Sequence, residues 1–190
     1  MIYHNTFFIR SCAFLLVLFV VFWSARIWSV NQRSSLNTTY DMGQIIDGGD
    51  LSICATESLL LTREDFANRF DLPEDIYSDT EVDGDGKIVA VCIKVTNTSG
   101  EAIEWDEVID FIECGFETKS WASGMNILYG QYLNRFYSSS LESGASQDIW
   151  FATDVNKQCF KEKSWANIDD AQFYYVLSLE PYKVQIRLNT

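Results

Sequence analysis

The chain has 190 residues, of which 47% are apolar and 15% aromatic, so it is not a disordered sequence and has enough apolar side chains for one folded domain. Charge is strongly one-sided, because 27 acidic residues stand against 14 basic ones and give a net charge of −13. Such a field repels nucleic acids, so the sequence excludes a nucleic-acid partner.

The first predicted element is an apolar run without charged residues, CAFLLVLFVVFW at 12–23, between Arg10 and Arg26. Twelve residues is the length of a signal-peptide core, and apolar neighbours extend the run toward the roughly 20 residues that span a bilayer. A signal peptidase needs small residues at its −3 position, where the available sites have Trp23 or Ile27. The pattern therefore favours an uncleaved signal-anchor over a cleaved signal peptide or a buried soluble helix.

This interpretation divides the chain into three parts. We expect residues 1–28 to form a single N-terminal transmembrane helix and the polar residues 29–44 to form a stem. Residues 45–190 are then a domain on the outer side of the cell membrane. The sequon tripeptides at Asn37 and Asn97 matter only in a eukaryotic protein.

The first half of the domain alternates apolar and polar residues, with one helix signal. Period-two alternation at 51–56, after a glycine-rich turn at 47–50, and again at 89–96 predicts two strands. Between them Thr62 resembles a helix N-cap, and with Asp65 three residues later it predicts a helix over Arg63–Phe70. Residues 74–86 are expected to form an acidic loop.

The second half is predicted to be mostly strand. Alternation at 112–117 indicates a strand within 102–117, and short β-type segments follow at 149–153, 173–179 and 182–188. Seven or eight short strands with one short inserted helix, and no regular alternation of helix and strand, indicate an all-β antiparallel sandwich.

Four stretches resemble a group of uncharacterised Gram-positive bacterial surface proteins. They are LTREDF at 61–66, KIVAVCIKVTNTS at 87–99, LESG at 141–144 leading into IWF at 149–151, and LSLEPYK at 177–183. The resemblance implies an immunoglobulin-like β-sandwich of unknown function behind an N-terminal anchor or lipidation site. This chain has no cysteine after the apolar run at the position of lipidation.

The chemistry of the domain is limited by its residue types. The only histidine, His4, precedes the apolar run, which excludes imidazole-based triads and histidine metal ligands from the domain. Four cysteines, Cys54, Cys92, Cys114 and Cys159, allow three disulfide pairings. Cys54 and Cys92 both fall on the more polar side of their alternating strands, which favours a Cys54–Cys92 disulfide and leaves Cys114–Cys159 as the second pair. The alternative is that the cysteines are buried free thiols. The sequence has no Cys-x-x-Cys spacing, which makes a zinc site less favoured than disulfides.

Acidic and aromatic residues are the remaining candidates for a site. Asp79, Glu81, Asp83 and Asp85 alternate through a turn that could hold Ca²⁺ but favours a solvated loop. The acids from Glu101 to Glu117 could include a hydrolase pair, although no cleft is visible in a sequence. Aromatic residues that could stack on sugars or anchor a protein, if they are not core, are Trp105, Trp121, Trp150, Trp165, Tyr129, Tyr132 and Tyr137.

No catalytic, cofactor or metal residue is therefore assigned. We expect a non-catalytic, membrane-anchored extracytoplasmic module that binds another protein or assists a membrane complex. The alternative is a carbohydrate or cell-wall binding module that uses exposed tryptophan and tyrosine side chains.

Overall fold

The structure, a computed structural model, describes Leu16, 19–24, Arg26, 37–73, Ile76, 86–112, 114–134, 139–179 and 182–190. The chain divides into two units, residues 1–37 and 38–190. In the first unit, Leu16, 19–24 and Arg26 are helical and exposed. No helix within the described residues is long and apolar enough to cross a membrane. Most of the predicted anchor lies outside the described residues.

The longest strands of the second unit form a four-stranded sheet. Its order is β2 (Ile46–Asp47), β3 (Leu51–Thr62), β4 (Lys87–Asn97) and β9 (Ser146–Val155), with antiparallel neighbours throughout. Strand β4 is central, and its side chains are buried on both faces from Ile88 to Ile93. The predicted strands at 89–96 and 149–153 are confirmed as β4 and the middle of β9.

A five-stranded sheet faces the first one. Its order is β1 (Thr38–Asp41), β11 (Val184–Arg187), β10 (Tyr174–Ser178), β6 (Gly115–Glu117) and β7 (Ala122–Gly124). Strand β1 pairs with β11 in parallel, so the expectation of a purely antiparallel fold is wrong. Residues 38–41, which were expected in the stem, are a strand of this sheet. A small ladder joins β5 (Ile103–Glu104) to β8 (Ser140–Leu141).

Two apolar clusters hold these layers together. The larger lies between the two sheets and combines side chains such as Val91, Ile93 and Phe151 of one sheet with Phe116 and Tyr175 of the other. The smaller lies on the outer face of β4 and β9 and includes Phe66, Ile88 and Tyr129. The fold is therefore a β-sandwich with one additional layer on its four-stranded sheet.

Helices supply that additional layer and close one side of the sandwich. Helix α1 (Arg63–Phe70) is confirmed as predicted, and the hydroxyl of Thr62 accepts from the Asp65 amide at 3.1 Å. Three more α-helices are described: α2 (Trp105–Ile112), α3 (Ile127–Leu133) and α4 (Glu162–Trp165). Two 3₁₀ turns flank α4, at Lys157–Cys159 and Ile168–Asp170. The prediction of a single inserted helix is therefore wrong, and the strand predicted within 102–117 is mostly α2.

Candidate functional site: an apolar groove beside helix α3

An apolar groove opens between helices α2 and α3 on the edge of the four-stranded sheet. Its cavity has a volume of about 360 Å³. Its walls are apolar or uncharged side chains from three elements and the segment before α3, namely Ile109, Met125, Asn126, Ile127, Gly130, Gln131, Asn134, Phe151 and Ala152. A cavity of this size and composition suits an apolar side chain or a small apolar ligand.

The floor of the groove is fixed by ring packing and one buried hydrogen bond. The ring of Phe151 stacks on that of Tyr175 with centroids 5.5 Å apart. The Tyr175 hydroxyl donates to the Ile112 carbonyl at 2.7 Å, which satisfies a carbonyl at the end of α2. Tyr175 thus connects β10 to α2 directly beneath the groove, so the floor is preformed.

Two asparagines attach helix α3 to the edge of the sheet. The Asn126 side chain caps α3 by accepting from the Leu128 backbone amide at 3.0 Å, and the backbone N–H of Asn126 donates to the Ala152 carbonyl at 2.9 Å. At the other end, the Asn134 side chain accepts from the Trp150 amide at 2.7 Å and donates to the Trp150 carbonyl at 2.8 Å. Strand β9 is at the edge of its sheet, and Asn134 satisfies the backbone groups of Trp150 there as a neighbouring strand would.

A polar cluster below α3 joins three elements at Asp154 of β9. Its carboxylate accepts from Arg63 of α1 at 3.0 Å, from the Tyr129 hydroxyl at 3.0 Å and from the Asn126 amide at 3.1 Å. The Arg63 and Asp154 side chains are mostly buried. Because this carboxylate accepts three hydrogen bonds, it fixes the position of α3 relative to α1 and β9.

The outer surface of α3 carries three large apolar side chains beside the exposed Gln131. Ile127, Leu128 and Tyr132 are large apolar side chains that lie exposed, and Ile127 also lines the groove. Tyr129 points the other way and is buried against Phe66 with ring centroids 5.4 Å apart. We use the name α3 face for the apolar groove residues and these exposed side chains of α3 taken together (Ile109, Met125, Ile127, Leu128, Tyr132 and Phe151).

A second groove, of about 630 Å³, lies on the opposite side of α2. It contains the carboxylates of Asp50, Glu101 and Glu107 together with the ring of Phe111. That ring lies so close to Gly48 that a Cβ at this position would come within 2.1 Å of it. A larger residue at position 48 would therefore require the Phe111 ring to move, and the acidic groove and the α3 face are separated by the width of one helix.

The structure does not form the predicted disulfides. Cys54, Cys92, Cys114 and Cys159, all of them described, are free thiols. Cys54 and Cys92 share a sheet face as strand phase predicts, but Cys54 opposes Lys94 while Cys92 opposes Glu57, so the two are diagonal neighbours. Cys159 is exposed in a 3₁₀ turn. Burial raises the pKa of the Cys92 thiol, and that of Cys114, above the ordinary value.

The predicted aromatic candidates are mostly packed. Trp121 and Trp165 are half-buried, and each packs on Phe160, with ring centroids 5.9 and 5.8 Å apart. Trp150 packs edge-on against Phe70 at 4.9 Å, and Trp105 lies against the large core. Tyr132 remains exposed on the α3 face, and Tyr137 lies outside the described residues.

The acidic candidates are partly undescribed, partly ion-paired and partly exposed. Asp79, Glu81, Asp83 and Asp85 lie outside the described residues. Of the acids from Glu101 to Glu117, Glu117 forms an ion pair with Lys183, whereas Asp106 and Asp110 are exposed on α2. Nowhere in the described part of the chain do three His, Cys, Asp or Glu side chains meet in a metal-binding arrangement.

Sequence reasoning did not identify the groove. Its residues come from positions 109 to 152 and converge only in the fold. One local signal was present, because Trp105, Val108, Ile109 and Ile112 have the i, i+3, i+4, i+7 spacing of a helix. The period-two alternation at 112–117 competes with this signal, because it favours a strand within 102–117.

Comparison with known proteins gives a family without an assigned activity. DUF5028, a domain of unknown function, matches residues 28–184. A conserved hypothetical protein from Bacillus anthracis has a similar solved structure at 11% identity and a TM-score of 0.48, over 77% of this chain and 94% of the other. A structure from Clostridium difficile, described as an uncharacterized beta-sandwich protein, is similar at 10% identity and a TM-score of 0.44. This match covers 80% of this chain and 96% of the other. No curated protein matches. Because the family match covers most of the sequence, the chain belongs to the DUF5028 family.

Proposed function

We propose that this protein is a non-catalytic binding or accessory module, anchored by its N-terminal apolar segment, whose β-sandwich lies outside the cytoplasm and binds another protein through the α3 face. The apolar run at 12–23 and the resemblance to Gram-positive surface proteins with an immunoglobulin-like sandwich support the location. The observation that carries the binding function is the preformed apolar groove with exposed Ile127 at its rim.

Physical chemistry favours a protein ligand on this surface. Apolar side chains that lie together beside a preformed groove mark interaction sites, whereas scattered ones do not. The α3 helix is held at both ends by Asn126 and Asn134, so little ordering is needed when a partner binds. Trp121 and Trp165, which were candidates for stacking on sugars, pack on Phe160 instead, and this favours the α3 face over a carbohydrate platform.

The test is site-specific photo-crosslinking of the full chain in cells of its source. The photoreactive residue replaces Ile127 in one variant and Ile45 in the control, which are matched in residue type and are 72% and 73% exposed. We expect one discrete protein adduct from position 127 and none from position 45. Equal adducts from both positions, or none from 127, would contradict the proposal, and adducts with cell-wall carbohydrate would favour the alternative module.

Location is tested separately by adding protease to intact cells. If the sandwich lies outside, its fragments appear without lysis while a cytoplasmic control protein stays whole. Recovery of the full chain in the soluble fraction, protected from protease until lysis, would contradict the anchored, outward-facing arrangement.

A further inference from the structure

The acidic side chains around helix α2 indicate the chemistry of the partner. Asp106 and Asp110 are exposed and four positions apart, so they share one side of α2. Asp106 is three positions before Ile109, which lines the apolar groove, so carboxylates border the α3 face. Glu107 is on the other side of α2, in the acidic groove with Asp50 and Glu101.

Among the residues that the structure describes, none of these acids forms an ion pair with a base. None of the residues that line either groove is basic. The sequence has no lysine or arginine from 95 to 118. The ion pairs formed between described residues use Asp154, Glu57, Asp169, Glu117 and Asp41, and none of the five acids around α2. Helix α2 is therefore an acidic ridge between an apolar groove and an acidic one.

We propose that the partner is a cationic amphipathic segment of another protein, which places an apolar side chain in the α3 groove and lysine or arginine side chains on the carboxylates of α2. This inference rests on the proposed binding function of the α3 face. Burial in the groove would supply most of the affinity, while the acidic ridge sets the orientation and selects basic over acidic partners. The net charge of the chain disfavours anionic lipid as the occupant.

The experiment measures binding of two labelled peptides to the full chain in non-ionic detergent, by fluorescence anisotropy. One peptide is an amphipathic helix with leucine and tryptophan on one side and lysine on the other; the second has glutamate in place of every lysine. We expect only the lysine peptide to bind. Its binding should weaken as ionic strength rises from about 10 to about 100 mM, because salt screens the attraction between its lysines and the carboxylates of α2.

Matched variants separate the two kinds of contact. The double variant Asp106→Asn and Asp110→Asn should weaken binding of the lysine peptide about tenfold. The double variant Glu162→Gln and Asp170→Asn, with the same change in charge on exposed residues outside both grooves, should change it less than about twofold. Reversing both α2 acids to lysine should let the glutamate peptide bind, which also shows that the altered helix is folded.

Different results would contradict the proposed function and this inference. If Ile127→Asp abolishes binding and Ile45→Asp does not, while both α2 variants bind the lysine peptide as the wild type does, the α3 face is a binding site and the cationic partner is wrong. Absence of binding by the lysine peptide, or equal binding of both peptides, also overturns the inference. The adduct at position 127 in cells then decides the proposed function independently.

Discussion

At the scale of single residues, Asn97 shows how a sequence motif can have a structural role. Asn97 is fully buried at the end of β4, and its side-chain amide donates to the Glu101 and Leu141 carbonyls, both at 2.8 Å. Its side-chain oxygen accepts from the amide and the hydroxyl of Ser99, at 2.9 and 2.7 Å. The Asn-Thr-Ser sequence therefore builds the turn after β4, and its asparagine is not accessible for glycosylation in the folded domain.

The first prediction follows from these four hydrogen bonds. Asn97→Ala removes all four of these hydrogen bonds, including the buried one to the Leu141 carbonyl, and should lower the free energy of unfolding by about 2–4 kcal/mol. Thr98→Ala changes the next residue of the same turn but removes only one exposed bond, from the hydroxyl to the Gly49 carbonyl, and should cost under about 1 kcal/mol. Urea denaturation compares the two. Equal losses would show that the buried network does not stabilise the turn.

The cysteines give a second prediction, on thiol reactivity. Because burial raises the pKa of Cys92, less of it is thiolate at any pH, whereas Cys159 is exposed. An alkylating reagent should therefore modify the exposed Cys159 first and the buried Cys92 last. Mass spectrometry after timed quenching gives the order.

A variant and an unreduced sample complete that measurement. Cys159→Ser should remove the fastest phase and leave the others unchanged. Native protein with no reactive thiol until a reductant is added would contain the disulfides that strand phase and export suggested, and would contradict the free thiols of the structure.

At the scale of elements, helix α3 depends on its two asparagines more than on its own sequence. It has seven residues with Gly130 in its interior, which is too short for a stable isolated helix. The sheet edge supplies the stabilisation that this short helix lacks, because Asn134 forms two hydrogen bonds with the backbone of Trp150. The groove therefore exists only while α3 is attached to β9.

The third prediction removes one attachment. Asn134→Ala should lower the free energy of unfolding by about 1–3 kcal/mol, since a backbone donor and acceptor lose their partners. Hydrogen exchange should speed up at the Trp150 amide and along α3 before it does so in β4. Gln131→Ala is the control, because this exposed residue lies on the same helix and alanine favours helix. Faster exchange throughout both sheets would mean that α3 is not a separate unit.

The elements that could be predicted are those with a local signal. Strand β4 alternates Val89, Val91, Ile93 and Val95, and helix α1 has its Thr62 cap, so both were found. Strand β1 was missed because its partner is remote: the Thr39 and Gln185 side chains that bond across β1 and β11 are 146 positions apart. The groove was missed for the same reason, since Ile109, Ile127 and Phe151 share no local pattern.

At the scale of the whole molecule, charge opposes the packing of the sandwich. All 27 acids lie after residue 37, and only Arg10, Arg26 and Arg33 among the bases precede it, so residues 38–190 carry 11 bases and a net charge of −16. Like charges on a compact surface repel, and unfolding relieves that repulsion. Salt should therefore stabilise this domain, although it weakens each of its exposed ion pairs, such as Arg187–Asp41.

The last prediction measures this repulsion and also tests whether the acidic residues at 79–85 bind calcium. Between about 10 and 100 mM NaCl the screening length falls from about 30 to 10 Å, and the Tm of the full chain in non-ionic detergent should rise by a few degrees. MgCl₂ and CaCl₂ at equal ionic strength separate screening from binding. Equal shifts for all three salts mean that repulsion alone is relieved. An additional shift with CaCl₂, lost in Asp83→Asn but kept in Asp170→Asn, would instead assign a calcium site to the acidic residues at 79–85, because bound ligand stabilises only the state that binds it.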